Sequence, residues 1–145
     1  MAIQEGIAYW ASVTTPNTKF EPVYTVDLVL EDSVADDFER RGFKVKNLTV
    51  NDEVVGRSVN FKRKVNGPNG MVRKAPMLVD SNKVPMDELV GNGSRVKVQY
   101  NEWEVSNKYG NFKGLDFQAM QVIDLVQYKS GDGAEFESIE GGEEF

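Results

Sequence analysis

The chain has 145 residues, 40% of them apolar, a net charge of −6, and neither cysteine nor histidine. That length suits one domain with a sizeable core, while the missing residue types exclude disulfides, thiolate nucleophiles, Ser-His and Cys-His pairs and the usual zinc sites. No apolar run reaches the roughly 18 residues of a membrane span, and the start M-A-I-Q-E-G-I-A lacks the basic and apolar regions of a secretory signal, so no membrane association and a cytoplasmic location are expected.

In chain order, Ile7, Tyr9, Ala11 and Val13 alternate with Gly6, Ala8, Trp10 and Ser12, which predicts a first strand with one buried face and Trp10 on the other. Thr14–Thr18 reads as a turn. Tyr24, Val26, Leu28 and Leu30 alternate with Thr25, Asp27 and Val29 as a second strand. Glu31-Asp32-Ser33 opens a short helix, with Asp32 or Ser33 as N-cap and Gly42 ending it. Leu48–Val55 fits a short strand or a loop. The segment from Gly56 to Pro76 then predicts a two-stranded ribbon, Arg57–Val65 and Met71–Val79, closed by the turn formers N-G-P-N-G. Met86–Val90 predicts a helical turn, and Gly91-Asn92-Gly93 a break.

Val96, Val98 and Tyr100 alternate with Arg95, Lys97 and Gln99, a strand with a cationic second face that runs on through Trp103 and Val105. Asn107–Asn111 reads as a loop, and Leu115, Phe117 and Ala119 begin a last strand that continues past a bulge into Val122–Leu125. With five to seven strands, one short helix and closely spaced turns, the fold class is an all-β barrel or sandwich.

The charge is unevenly placed. Residues 131–145 hold six of the 23 acids and no base, so the remaining acids balance the 17 bases of the body. Within that neutral body, Arg57, Lys62, Arg63, Lys64, Arg73 and Lys74 crowd into the ribbon, which contains no acid. Lysine and arginine bind phosphate backbones by displacing counterions, without sequence choice, and Arg95, Lys97 and Lys113 could extend such a surface. Trp103, Tyr109 and Phe112 stand near basic residues and, with Trp10 on the outer face of the first strand, are candidates to stack on the bases of a single strand. Phe61, beside Lys62, joins them, although its parity with Val59 and Val65 fits a core position equally. Tyr24, Tyr100 and Phe117 belong to apolar stripes. In the tail, Phe136, Ile139 and Phe145 sit among acids, including Glu140, Glu143 and Glu144, a pattern suited to docking on basic, partly apolar partners. A merely solvating tail, which would not need three large apolar groups, is the alternative. No phosphate-loop, dinucleotide or metal-ligand motif is present, so no enzyme activity, cofactor or metal is expected.

Met77–Tyr100, M-L-V-D-S-N-K-V-P-M-D-E-L-V-G-N-G-S-R-V-K-V-Q-Y, together with Tyr24–Leu28, the closing strand L-D-F-Q-A-M-Q-V-I-D-L and the final Glu-Glu-Phe, resembles the single-stranded DNA-binding proteins of T7-like bacteriophages. The resemblance implies an OB-fold of five strands over residues 1–130, carrying the basic ribbon, and a disordered acidic tail over 131–145. It implies single-stranded DNA as partner, in phage DNA replication, recombination and repair within the bacterial host cytoplasm. It further implies tail contacts to the replication polymerase and helicase through Glu140, Glu143, Glu144 and Phe145, shielding of the DNA groove by the tail, and homodimers. Both the helical segment Glu31–Gly42 and the tail are shorter than in the T7 protein. The alternative is a β-rich phage structural or protein-interaction module without nucleic acid binding.

Overall fold

The computed structural model describes residues 2–19 and 21–127. Its elements are β1 (Ala2–Asn17), β2 (Val23–Leu30), α1 (Asp32–Arg40), β3 (Lys46–Val50), β4 (Glu53–Lys64), β5 (Met77–Val79), β6 (Ser94–Asn107) and β7 (Gly110–Asp124), with a 3₁₀ turn at Pro68–Gly70. The sheet runs β3-β4-β2-β1-β6-β7-β5 and closes through a parallel pairing of β4 with β7 at Lys62 and Asp116. Strands β1, β2, β4, β6 and β7 thus form a five-stranded barrel, the expected fold class, with the closure of an OB-fold.

Alternation explains the barrel wall. On β2, Tyr24, Val26, Leu28 and Leu30 all point into the core, as predicted. Against them pack Val59 and Phe61 of β4, Val96, Val98 and Tyr100 of β6, and Leu115, Phe117, Met120 and Val122 of β7. Helix α1 plugs one end by burying Ala35 and Phe38, and the Phe38 ring meets Phe43, Phe61 and Tyr100 at centroid distances of 5.9, 6.4 and 6.2 Å. Asp32 in its first turn and Arg40 in its last suit the helix dipole. Glu31, not Asp32 or Ser33, holds the N-cap position, without a side-chain capping bond. Gly42 at φ +96° lets the Phe43 N–H donate to the Phe38 carbonyl and end the helix.

Further expectations change. The turn expected at Thr14–Thr18 is strand as far as Asn17, because β1 still pairs there with Val23 of β2. β1 does not keep one parity: Ala8 and Val13 are its buried residues, because the pairing with β2 slips between Tyr9 and Ser12, where Trp10 has φ +53°. Leu48–Val55 resolves into β3, a tight turn with Asn51 and Asp52 both at positive φ, and the start of β4. Met86–Val90 forms no helical turn. The ribbon does not form as predicted, because both edges of β4 are taken, by β2 on one side and by β3 and β7 on the other. Beyond the bridge of Asn66 to Val72 the second limb leaves β4, and Met77–Val79 pairs in parallel with β7.

Among the described residues no helix is long and apolar enough to cross a membrane. The tail residues Glu140, Glu143, Glu144 and Phe145, with Phe136 and Ile139, lie outside the described residues.

Candidate nucleic-acid interface

The hairpin that leaves the barrel is built by β6 and β7. Past Tyr100 on β6 and before Leu115 on β7 the side chains turn from buried to exposed, while the pairing continues to Asn107 and Gly110. The cross-strand pairs put Trp103, Val105 and Phe112 on one face, with Gly114 opposite Trp103. The other face carries the pairs Glu104–Lys113 and Ser106–Asn111. A Cβ at Gly114 would lie well inside van der Waals contact of the indole, against Cζ2, Cε2 and Nε1, so the ring lies across this glycine. At the tip Lys108 and Tyr109 make the turn, the Tyr109 N–H donates to Asn107 Oδ1 at 2.8 Å, and the Lys108 ammonium sits 5.1 Å from the Tyr109 ring. Trp103, Phe112 and Tyr109 are 43%, 47% and 77% exposed.

Helix α1 fixes the root of this arm. The Arg41 guanidinium donates to Glu102, lies 4.7 Å from the Phe38 ring, and reaches Asp37 at 3.1 Å. Lys113 donates to the Arg41 carbonyl and stands 5.1 Å from the Phe43 ring. The hydrogen bond to Glu102 raises the Arg41 pKa against the opposing effect of burial. Burial raises the Tyr100 pKa, with Arg41 opposing it.

Between the arm and the outer face of β4 runs an open groove. One part, about 530 Å³, is lined by Lys62, Arg63, Lys64, Arg73, Asn101, Trp103 and one carboxylate, Asp116. The next, about 480 Å³, is lined by Lys44, Lys46, Lys113, Phe112 and again Lys62 and Trp103, so the two are continuous. Among the described residues, no carboxylate lies within ion-pair distance of Lys44, Lys46, Lys62 or Arg73, whereas Lys64 has Glu21 at 3.7 Å. Unpaired cations beside exposed rings suit a polymer of phosphates and flat bases.

Several residues singled out from sequence sit elsewhere. Phe61 is fully buried, 4.9 Å from the Tyr100 ring, so it is a core residue and offers no stacking surface. Arg57 faces α1, with Asp36 at 2.7 Å, Glu39 at 3.5 Å and Asp32 at 3.8 Å, and Asp36 raises its pKa. Arg63 borders the groove but is tied to Asp116 at 3.2 Å and to the Lys74 carbonyl. Arg95 is paired with Glu5 at 2.5 Å, and Lys97 lines a different hollow, with Ile3, Met77 and Lys83. Both lie toward the end of β6 away from the arm. Lys74 is exposed beyond the strand, and Trp10, 52% exposed, lies on β1. Lys44, Lys46 and Asn101 were not singled out from sequence. For the two lysines the signal was there: Phe43-Lys44-Val45-Lys46 alternates apolar and basic residues just as Arg95–Val98 does.

These features define a class: a five-stranded OB barrel with a cationic groove on one face and an aromatic arm along its rim. No family model and no curated protein sequence matches the chain. Among solved structures, the chain is similar in fold to gp2.5, a single-stranded DNA-binding protein encoded by bacteriophage T7, at 17% identity and TM-score 0.58, covering 95% of this chain and 98% of that one. It is similar also to the single-stranded DNA-binding protein from bacteriophage Enc34, at 12% identity and TM-score 0.57, over 94% of this chain and 87% of that one. The Enc34 protein in complex with single-stranded DNA gives 12% and 0.58, over 87% and 86%.

Proposed function

We propose that this protein binds single-stranded DNA without sequence preference, in the groove between β4 and the β6–β7 arm. The observation that carries the reading is the row of cations along the groove, of which Lys44, Lys46, Lys62 and Arg73 have no carboxylate in ion-pair reach among the described residues, against exposed Trp103 and Phe112, in a fold similar to that of a protein solved with single-stranded DNA. Lys44, Lys46, Lys62, Lys64 and Arg73 hold phosphates, with Lys113 at the arm root. Trp103, Phe112 and Tyr109 stack on bases, each stack contributing about 1–3 kcal/mol. Contacts to phosphates and to the flat faces of bases carry no sequence choice, which suits a strand of any sequence.

The biological setting follows from the likeness to phage proteins: the chain coats single strands during phage DNA replication and recombination in the host cytoplasm. Its acidic C-terminal segment recruits the replication polymerase and helicase, and competes with DNA for the groove. The phosphate groups of DNA and the carboxylates of residues 131–145 seek the same lysines, which supports the competition.

Titration with oligo(dT), followed by intrinsic tryptophan fluorescence at low and moderate salt, tests the reading. Quenching is expected, weaker as salt rises, and stronger for a chain ending at Ser130 than for the full chain. Equal affinity for single strand and duplex, or affinity indifferent to salt, would overturn it. Binding that is unaltered by removing residues 131–145 would retain the groove and discard the competing tail.

A further inference from the structure

Trp10 combines two unfavourable features. Its backbone is left-handed, at φ +53°, a region that bulky side chains rarely enter. Its side chain is also half exposed to water. Local strain of this kind persists where the surroundings enforce it, and it concentrates at functional positions. Here the enforcement is visible. Asn92 Oδ1 accepts the Trp10 N–H at 2.8 Å, across 82 residues of sequence. The glycines on either side dock that loop: the Gly93 N–H donates to the Ala8 carbonyl at 2.9 Å, and the Gly91 N–H to the Val126 carbonyl at 2.7 Å. The break Gly91-Asn92-Gly93 thus acts as a clamp on the β1 bulge.

The register places this bulge relative to the groove. Ser12 pairs with Thr25, Thr25 with Lys62, and Lys62 with Asp116, so one row crosses β1, β2, β4 and β7. Three strand spacings make this row about 14 Å long. Trp10 stands beside its β1 end, and Trp103 flanks its β7 end, where Asn101 pairs with Asp116. Between them the outer face is polar: Asn60 Nδ2 donates to Thr25 Oγ1 at 2.8 Å and to Asp27 Oδ1 at 3.0 Å, and Lys62 stands alongside.

We infer that the single strand crosses the barrel along this row, from Trp103 over Lys62 to Trp10, and that Asn92 is a positioning residue which holds Trp10 at the far rim as a second stacking platform. This rests on the proposed single-stranded DNA binding and adds its direction and its second aromatic contact.

The strain gives the test its sign. Glycine adopts positive φ freely, so Trp10→Gly is expected to melt at or above the temperature of the parent, yet to bind oligo(dT) on the order of tenfold more weakly, the loss of one base–aromatic stack. The salt dependence stays as in the parent, since no phosphate contact is removed. Asn92→Ala is expected to weaken binding less. A second measurement leaves Trp10 in place: in Trp103→Phe, Trp10 is the one remaining tryptophan, and saturating oligo(dT) should quench it. Parental affinity in Trp10→Gly, or an unquenched Trp10 at saturation, overturns the path. A parent that fails to bind oligo(dT) at all overturns the proposed function itself, which the variants alone cannot do.

Discussion

Lys62 and Arg57 lie on the same strand, both were legible as cations in a basic segment, and their surroundings give them opposite roles. Arg57 is gripped by three acids of α1, and its hydrogen bond to Asp36 keeps the guanidinium committed to the helix. Lys62 faces the groove with no acid in ion-pair reach among the described residues. Lys62→Ala is therefore expected to weaken oligo(dT) binding equally across sequences and to lower the slope of log affinity against log salt by about 0.7, the release of one counterion from a single strand. Arg57→Ala is expected to leave that slope unchanged and to lower the melting temperature slightly. A salt titration of both variants checks the contrast, and a reduced slope in Arg57→Ala would place it in the groove. Tyr100 supplies a pH dependence. Burial raises its pKa above the ordinary value of about 10. The unfolded chain therefore releases this proton first as pH rises. The contribution to stability is whole below pH 10 and declines as pH climbs from there through the folded-state pKa. Denaturant melts across that alkaline range should show a decline that Tyr100→Phe reduces.

At the scale of elements, the arm is where the proposed DNA contacts and the fold separate. The aromatic face proposed for stacking depends on Gly114, over which the Trp103 indole lies. Gly114→Ala should push the ring off that face, shift tryptophan emission, and weaken oligo(dT) binding several-fold, while the barrel, whose core lies below Tyr100 and Leu115, melts within a few degrees of the parent. An unchanged affinity would mean that Trp103 does not stack. This division also explains what the sequence made visible. β2 was legible because every second residue is buried, the simplest pattern a half-buried strand can make. Trp103 and Phe112 stood out because they are large, apolar and placed next to charge. The arm was legible only in its β6 limb, expected to run on through Trp103 and Val105; its β7 limb was hidden, because Asn101–Lys113 is exposed and carries no buried stripe, and Asn107–Asn111 reads as a loop. The predicted ribbon failed for a different reason. N-G-P-N-G does turn the chain, as the Asn66–Val72 bridge records, but whether a second strand follows depends on a free edge. The neighbours of β4 are the local hairpin strand β3 and, from farther away in sequence, β2 and Asp116 of β7. Phe61 was ambiguous from parity alone, and the aromatic contacts with Phe38 and Tyr100 decided it.

For the molecule as a whole, barrel closure and the proposed DNA groove meet at Asp116. Closing the sheet brings β7 beside β4 at Lys62, so a carboxylate that steadies the closure also enters the groove. Asp116 accepts from Arg63 Nε at 3.3 Å and Nη2 at 3.2 Å, as well as from Gln118. Arg63 is mostly buried and also reaches the Lys74 carbonyl, so the pair ties the segment after β4 to the closing strand. Charge-assisted, two-pronged bonds of this kind are among the stronger hydrogen bonds in proteins. Its partial exposure lowers its value below that of a buried pair. For single-stranded DNA the same carboxylate is an obstacle, since it repels phosphate and neutralises one of the groove's cations. Asp116→Asn keeps the shape and removes the charge. It should lower stability by about 1 kcal/mol while tightening oligo(dT) binding, with a salt slope steeper by about 0.7 as Arg63 becomes available to a phosphate. Paired denaturant and salt titrations of this variant read both effects on one protein. A loss of stability without a gain in affinity would confine Asp116 and Arg63 to closing the barrel. A gain without a loss would mean that the closure is held by the backbone pairing and the core, and that the acid at this position serves to moderate the grip of the groove, keeping bound strands exchangeable.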